Sequence, residues 1–220
     1  MNRRWRNRDQ RERRKPVTIE KGKDWGTTGS LAADAPVVNS DAELAALFSL
    51  VEGMLVGPEQ VGLTGGDLAT TLGARSSEAE LRGSPRTLLP LDLASVHTGE
   101  GDAIVMAASV VVRSPLWAGP VRAVMNASHF GSWNASPAGH PNDGRVDVIV
   151  ANLSLGDRLK ARKRLPAGIH VPHPDISIRR QRMVQWEVST REKVWIDGVL
   201  KPGVRSVEVL VHPDATVVAI

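Results

Sequence analysis

The sequence predicts an α+β protein, with a C-terminal antiparallel β-sandwich over residues 86–220 preceded by a short α/β segment over residues 17–80. Three observations predict it. From Leu88 onward, short runs rich in Val and Ile recur between turn signals such as Asn142-Asp143-Gly144 and Asp197-Gly198, the pattern of many short strands. Between Ala35 and Gly73 two strand–loop–helix units follow one another, an α/β signature. Charge is split between the ends of the chain. Residues 1–15 carry eight basic side chains against Asp9 and Glu12, hence +6, which leaves −2 for residues 16–220 out of the total of +4.

The basic arm, residues 1–16, has Trp5 as its sole large apolar residue and cannot bury enough to fold alone. Its Arg3, Arg4, Arg6, Arg8, Arg11, Arg13 and Arg14 suit phosphates on an anionic membrane surface, or, as the lesser expectation, on nucleic acid. It also reads as a solvated tail with no specific partner. Trp25 is the one anchor of the polar stretch that follows. Val37-Val38 reads as a short strand, Asn39-Ser40-Asp41 as helix-capping residues, and Leu44, Leu47, Phe48 and Val51 as the apolar face of the helix they start. Val61-Gly62-Leu63 reads as a second strand, and Leu68–Leu72 as a helix stopped by Gly73. The polar stretch Ala74–Pro85 is the expected boundary. Beyond it, strands are expected at Ile104–Val112, Val121–Asn126, Val146–Val150, Ile176–Ile178, Val184–Val188, Val194–Ile196, Val207–Val211 and Thr216–Ile220, with one basic amphipathic insertion at Leu153–Leu165.

Composition excludes several classes. With no cysteine there is no disulfide framework, no thiolate metal site and no cysteine nucleophile. The longest apolar run, Ala103–Val112, is half of what a spanning helix needs. No apolar signal core follows the basic start, so a soluble, cytoplasmic protein is expected, peripheral to a membrane if the arm binds one. Oligomeric state is left open.

Three segments can carry chemistry. The Asn142-Asp143-Gly144 turn places a carboxylate beside exposed carbonyls, which either holds a hard cation or is a plain turn. His170 and His173 lie three apart, with His140 and Asp175 available, but Pro172 and Pro174 extend the chain between them, so a role at a sheet edge competes with a metal site. Asp197 closes a strand at a turn, where a carboxylate can accept a proton from a hydroxyl or can simply form the hairpin.

The order of these segments carries more than any one of them. Gly65-Gly66-Asp67, then Asn142–Val148, Gly168–Pro174, Trp195–Gly198 and His212-Pro213-Asp214-Ala215 resemble, in that succession, the diacylglycerol and sphingosine-type lipid kinases, bacterial members in particular. The resemblance covers residues 88–220 and more faintly 35–75. It implies a nucleotide-binding α/β domain before a β-sandwich, with transfer of the ATP γ-phosphoryl group to a lipid hydroxyl and magnesium as the cation. By that resemblance magnesium falls to Asp143 and to the main-chain oxygens of His140 and Arg145. Asp41, Thr64, Gly65 and Gly66 fall to the nucleotide, and Asp67 to the acceptor side. The family's glycine-rich phosphate loop is replaced by Asn39-Ser40-Asp41-Ala42-Glu43, and its glutamate base by Val199. Asp197 or Asp67 is then left as catalytic base, and the front segment reads as a truncated nucleotide-binding part. Two functions follow: a divergent lipid kinase, or a catalytically silent relative that binds lipid, magnesium or a protein partner.

Overall fold

The computed structural model describes residues 25–220, with residues 100, 102 and 118 excepted. The arm expected over residues 1–16 lies outside the described residues. The chain is α+β.

Two long antiparallel strands, Arg86–His97 and Ser206–Ala219, organise the molecule. They pair from Glu208 opposite His97 to Ala219 opposite Leu88, so each strand passes through two neighbourhoods. At the Ala219 end, Val217–Ala219 runs parallel to Gln60–Gly62, Val37–Val38 adds in parallel beyond it, and Thr27–Gly29 closes the other edge. The helices Asp41–Ala46 and Asp67–Leu72 follow Val37–Val38 and Gln60–Leu63. Leu44, Leu63 and Leu68, fully buried, join Leu91 and Val218 in one core there.

At the His97 end, Ile104–Met106 and Met183–Glu187 extend the long pair. A six-stranded antiparallel sheet lies against it, in the order Ile176–Gln181, Val146–Ala151, Val121–Met125, Ser109–Arg113, Lys193–Ile196, Val199–Lys201. Val96, Val207 and Val209 of the first sheet and Val110, Val124 and Ile196 of the second share one buried cluster. Along Ser206–Ala219, residues 207, 209 and 211 are buried in alternation, as a strand with one face on the core requires. Val146–Ile149 are buried in succession, because the outer face of this sheet is covered too. There Val111, Ala123, Met125 and Ile149 pack with Trp117 and Phe130.

Several elements differ from the sequence expectation. The strand expected at Ile104–Val112 is two, Ile104–Met106 in the first sheet and Ser109–Arg113 in the second. The first helix stops at Ala46 rather than continuing to Val51, because Ser49–Val51 turns back on Met54–Val56. Glu52 and Gly53, both at positive φ (50° and 78°), make that two-residue turn. The boundary stretch 74–85 holds a helix, Glu78–Gly83, started by a reciprocal cap between Ser77 and Glu80 and fixed by fully buried Leu81. Arg86–His97, the longest strand before the last, escapes a periodicity reading because Pro90 and Asp92 interrupt it. Finally, the two strands expected at the C-terminus are one, with a bulge between His212 and Thr216 that accommodates Pro213.

Candidate functional site

Six of the nine residues singled out by sequence gather at the first two helices. Ser40 caps the helix Asp41–Ala46 through its hydroxyl on Glu43 N, and Glu43 Oε2 in return accepts the Asn39 N–H at 2.9 Å. Asp41 turns inward, and its two carboxylate oxygens accept the N–H groups of Asp67 (2.6 Å) and Leu68 (3.0 Å), capping the second helix across 26 residues of sequence. Both turns are thus closed by side chains from the same segment, and glycine is required where they meet. A Cβ on Gly65 would run into the Asn39 carbonyl, and one on Gly66 (φ 99°) would sit 2.7 Å from Asp41 Oδ1. Thr64 donates its hydroxyl to the Val38 carbonyl at 3.0 Å.

Burial pushes the Asp41 carboxyl up to about 6, the two backbone donors oppose this, and the charges of Asp197 and Asp67 add to it. Asp67, half-buried, accepts the Gly131 N–H at 2.7 Å, and burial raises its carboxyl as well. Asp197, at φ 46°, stands within electrostatic reach of both. Its carboxylate accepts three backbone N–H groups, from Ala107, Ala108 and Ser109 at 2.8–2.9 Å, and this ties the hairpin Lys193–Lys201 to the turn before Ser109–Arg113. Burial nonetheless raises Asp197 from the ordinary carboxylate value. Val199, where the family resemblance places the base, lines a cleft of about 290 Å³ with Ala42, Ala45, Ala46 and Phe48.

The other three residues, His140, Asp143 and Arg145, lie at the bulge of the last strand. Buried Asp92 anchors this region by accepting N–H groups from Gly144 (2.7 Å) and Asp214 (2.9 Å) and the Asn142 amide (3.1 Å). Burial, ahead of these donors, pushes the Asp92 carboxyl up to about 6. Trp25 donates its indole N–H to Asn142 Oδ1 and meets the His140 ring edge-on at 4.3 Å, the anchoring that its isolation in the sequence suggests. Asp143 accepts the Arg145 N–H at 3.0 Å, and its other oxygen lies 3.8 Å from the Arg180 guanidinium. Arg180 also reaches Asp147 at 3.4 Å and donates to the Ala138 carbonyl. Two carboxylates and a carbonyl thus already surround one cation, an arginine, and a magnesium ion on Asp143 would have to share the carboxylate with it. One side chain separates the two groups: buried Asn126 donates to the carbonyls of Asp92 and Ala107, both at 2.8 Å.

A second, larger opening belongs to neither group. On the outer face of the six-stranded sheet, beneath the helix Leu155–Arg164, lies a cavity of about 630 Å³ walled by Ala123, Met125, Ile149, Phe130, Trp133 and Leu159. Ser154 caps the helix above it, and Arg158 fastens that helix to the carbonyls of Leu153, Trp117 and Gly119. Leu155 and Leu159 stand exposed at the rim, and the last turn carries Arg162, Lys163 and Arg164. The hairpin that supplies Phe130 and Trp133 has at its turn Gly131, the residue held by Asp67. Sequence reading missed this chamber, although three of the chain's eight aromatic residues fall within 117–133. The two histidines part company: His170 is buried and lines the cavity, whereas His173 lies by Asp157 and Asp175, with ligand atoms within 4.8 Å of one another.

No protein-family profile matches the sequence, and no curated protein is similar to it. Solved structures are. One of "a putative diacylglycerol kinase" from Bacillus anthracis str. Sterne superposes with a TM-score of 0.55 at 13% identity, over 84% of this chain and 76% of that one. A second of the same description gives 0.56 at the same identity and coverage. The chain has the fold of these bacterial proteins. Within this diacylglycerol-kinase-like fold, the small cleft at Asp197 and Val199 and the apolar cavity are two places where a ligand can be sought.

Proposed function

We propose that this protein is a lipid-binding member of the lipid-kinase fold, holding an apolar chain in the cavity beneath Leu155–Arg164 and lacking phosphotransferase activity. The observation that carries the reading is the cavity. Its volume is in the range of small-molecule sites and its walls are aliphatic and aromatic. The exposed Leu155 and Leu159 beside a basic helix end suit an anionic lipid surface from which such a ligand would be drawn. Among the described residues no helix is long and apolar enough to cross a membrane, so contact through this rim would be peripheral.

The candidate catalytic and nucleotide-binding residues support the silent half of the proposal. Phosphoryl transfer rests on backbone donors around the phosphates, a neutralising cation and a group that orients the acceptor hydroxyl. Here Glu43 occupies the Asn39 N–H and Asp41 those of Asp67 and Leu68, and their charge repels a triphosphate. Arg180 compensates Asp143, Val199 takes no proton, and Asp197 is committed to three backbone donors. ATP and magnesium, which the resemblance implies, therefore find no prepared place among these residues. Asp67 remains the one half-buried carboxyl able to serve a hydroxyl, and the test must address it.

The test has two arms. Displacement of an environment-sensitive dye by long-chain lipids is expected, and calorimetric titration of ATP with magnesium is expected to show no binding up to millimolar concentration. Magnesium-dependent ATP binding, with phosphoryl transfer to a lipid that Asp67→Asn abolishes, would establish the kinase instead.

A further inference from the structure

Along the helix Leu155–Arg164, residues 155, 158, 159 and 162 follow the spacing of one helix face, and all four line the apolar cavity. A helix stripe turned toward an apolar interior is ordinarily apolar throughout. Here Leu155 and Leu159 alternate with Arg158 and Arg162, and among the described residues no carboxylate joins them in the cavity wall. Arg158 is half-buried and donates to the carbonyls of Leu153, Trp117 and Gly119. Those carbonyls satisfy hydrogen bonds but bring no negative charge. Arg162, one turn on, is exposed, and among the described residues neither arginine pairs with an acid. Asp157 is the one acid of this helix and stands off the stripe, held by Lys160 at 3.0 Å and by the Ser154 hydroxyl. The chamber thus joins aliphatic and aromatic walls to an uncompensated positive charge.

We propose that the ligand of this cavity is an amphiphile with an anionic head, carboxylate or phosphate, whose chain lies against the apolar walls and whose head pairs with Arg162. The inference rests on the reading that the cavity takes a lipid, and it adds the chemistry of the head. A guanidinium presents a planar fork of N–H donors that matches the oxygens of either head. Arg162 is open to solvent as well as to the chamber, so the head keeps part of its hydration while the chain leaves water. The cost of burying a charge is thereby avoided. Arg158, held by its three carbonyls, adds attraction through its charge without having to move.

The experiment uses the full chain and four probes of equal chain length, each displacing the dye: dodecanoate, dodecyl phosphate, dodecanol and dodecyltrimethylammonium. The wild type is expected to bind the two anions about tenfold more tightly than dodecanol, and the cationic probe more weakly than dodecanol. The order of the two anions then assigns the head as carboxylate or phosphate. Arg162→Gln is expected to bind both anions at the affinity of dodecanol. Lys160→Gln removes the same charge from the same helix but off the cavity stripe, and it is expected to keep the preference for the anions. If the wild type binds dodecanol as tightly as the anions, or if the two variants lose anion binding equally, pairing at Arg162 is overturned while lipid binding stands. If no probe displaces the dye, the cavity reading falls and the anionic head falls with it.

Discussion

The candidate carboxylates and the apolar cavity face opposite fates in one fold. Three of the carboxylates that sequence reasoning assigned to a reaction are engaged by the chain itself: Asp41 by two helix N–H groups, Asp197 by three turn N–H groups, and Asp143, at the bulge, by Arg145 and Arg180. In the cavity the reverse holds, since about 630 Å³ stays open between mostly apolar walls. Protein interiors are close-packed and their polar groups satisfied, so the cavity is the exception that calls for a ligand. The lesson is that a recurring order of acidic residues does not by itself fix their chemistry.

The comparison can be broken most directly at Asp197. If its carboxylate is structural, Asp197→Ala strands three backbone donors and lowers stability by about 3 kcal/mol or more, read as the urea midpoint. An unchanged midpoint would return Asp197 to the list of free catalytic groups. The next effect is pH dependence. Asp41 and Asp92 are raised from 3.8 to about 6 in the folded protein, so the folded state holds these protons more tightly than the unfolded chain. Their contribution is full below about pH 4 and is lost as pH rises through about 6, on the order of 2 kcal/mol for each group. Urea midpoints at pH 4, 5, 6 and 7 should fall across that window, and Asp41→Asn should remove its share. A rising midpoint would mean that the backbone donors outweigh burial at these carboxylates.

On the apolar side, Ala151→Trp places a large ring in the chamber from a half-buried wall position. Lipid affinity should drop roughly tenfold or more while stability changes by less than about 1 kcal/mol. Equal loss of both would show that the chamber wall is part of the packed core. The smallest effect concerns Arg180. Its replacement by Met should free Asp143 and Asp147 and give the variant a magnesium-dependent thermal stabilisation of about 1 kcal/mol at millimolar ion, with none in the wild type. A wild-type response of the same size would mean that the ion and the guanidinium coexist.

Much of the fold was legible locally. Both strand–loop–helix units and the Gly73 stop follow from spacing, caps and turn residues close together in sequence, and the basic insertion at Leu153–Leu165, open between helix and loop by sequence, is the helix Leu155–Arg164. The strand Arg86–His97 was not legible, because a proline and an aspartate break its pattern and its pairing partner lies more than a hundred residues away. The grouping of the site followed the same divide. The resemblance set Asp41, Thr64, Gly65 and Gly66 on the nucleotide side and Asp67 on the acceptor side, whereas Asp92 and Arg180, which set the environment of Asp143, carry no motif of their own.

By itself the sequence determined the α+β class, the two short helices with their caps, the loss of glycines from the first turn and the valine at position 199. These are properties of residue type and near-neighbour spacing. Only the tertiary structure decided which hydrogen bonds the carboxylates make, that Arg180 stands against Asp143, and that the outer face of the second sheet encloses an apolar chamber. Such contacts join residues 26 to 122 positions apart, and the backbone donors, burial and volume that govern them exist only once distant strands have been brought together.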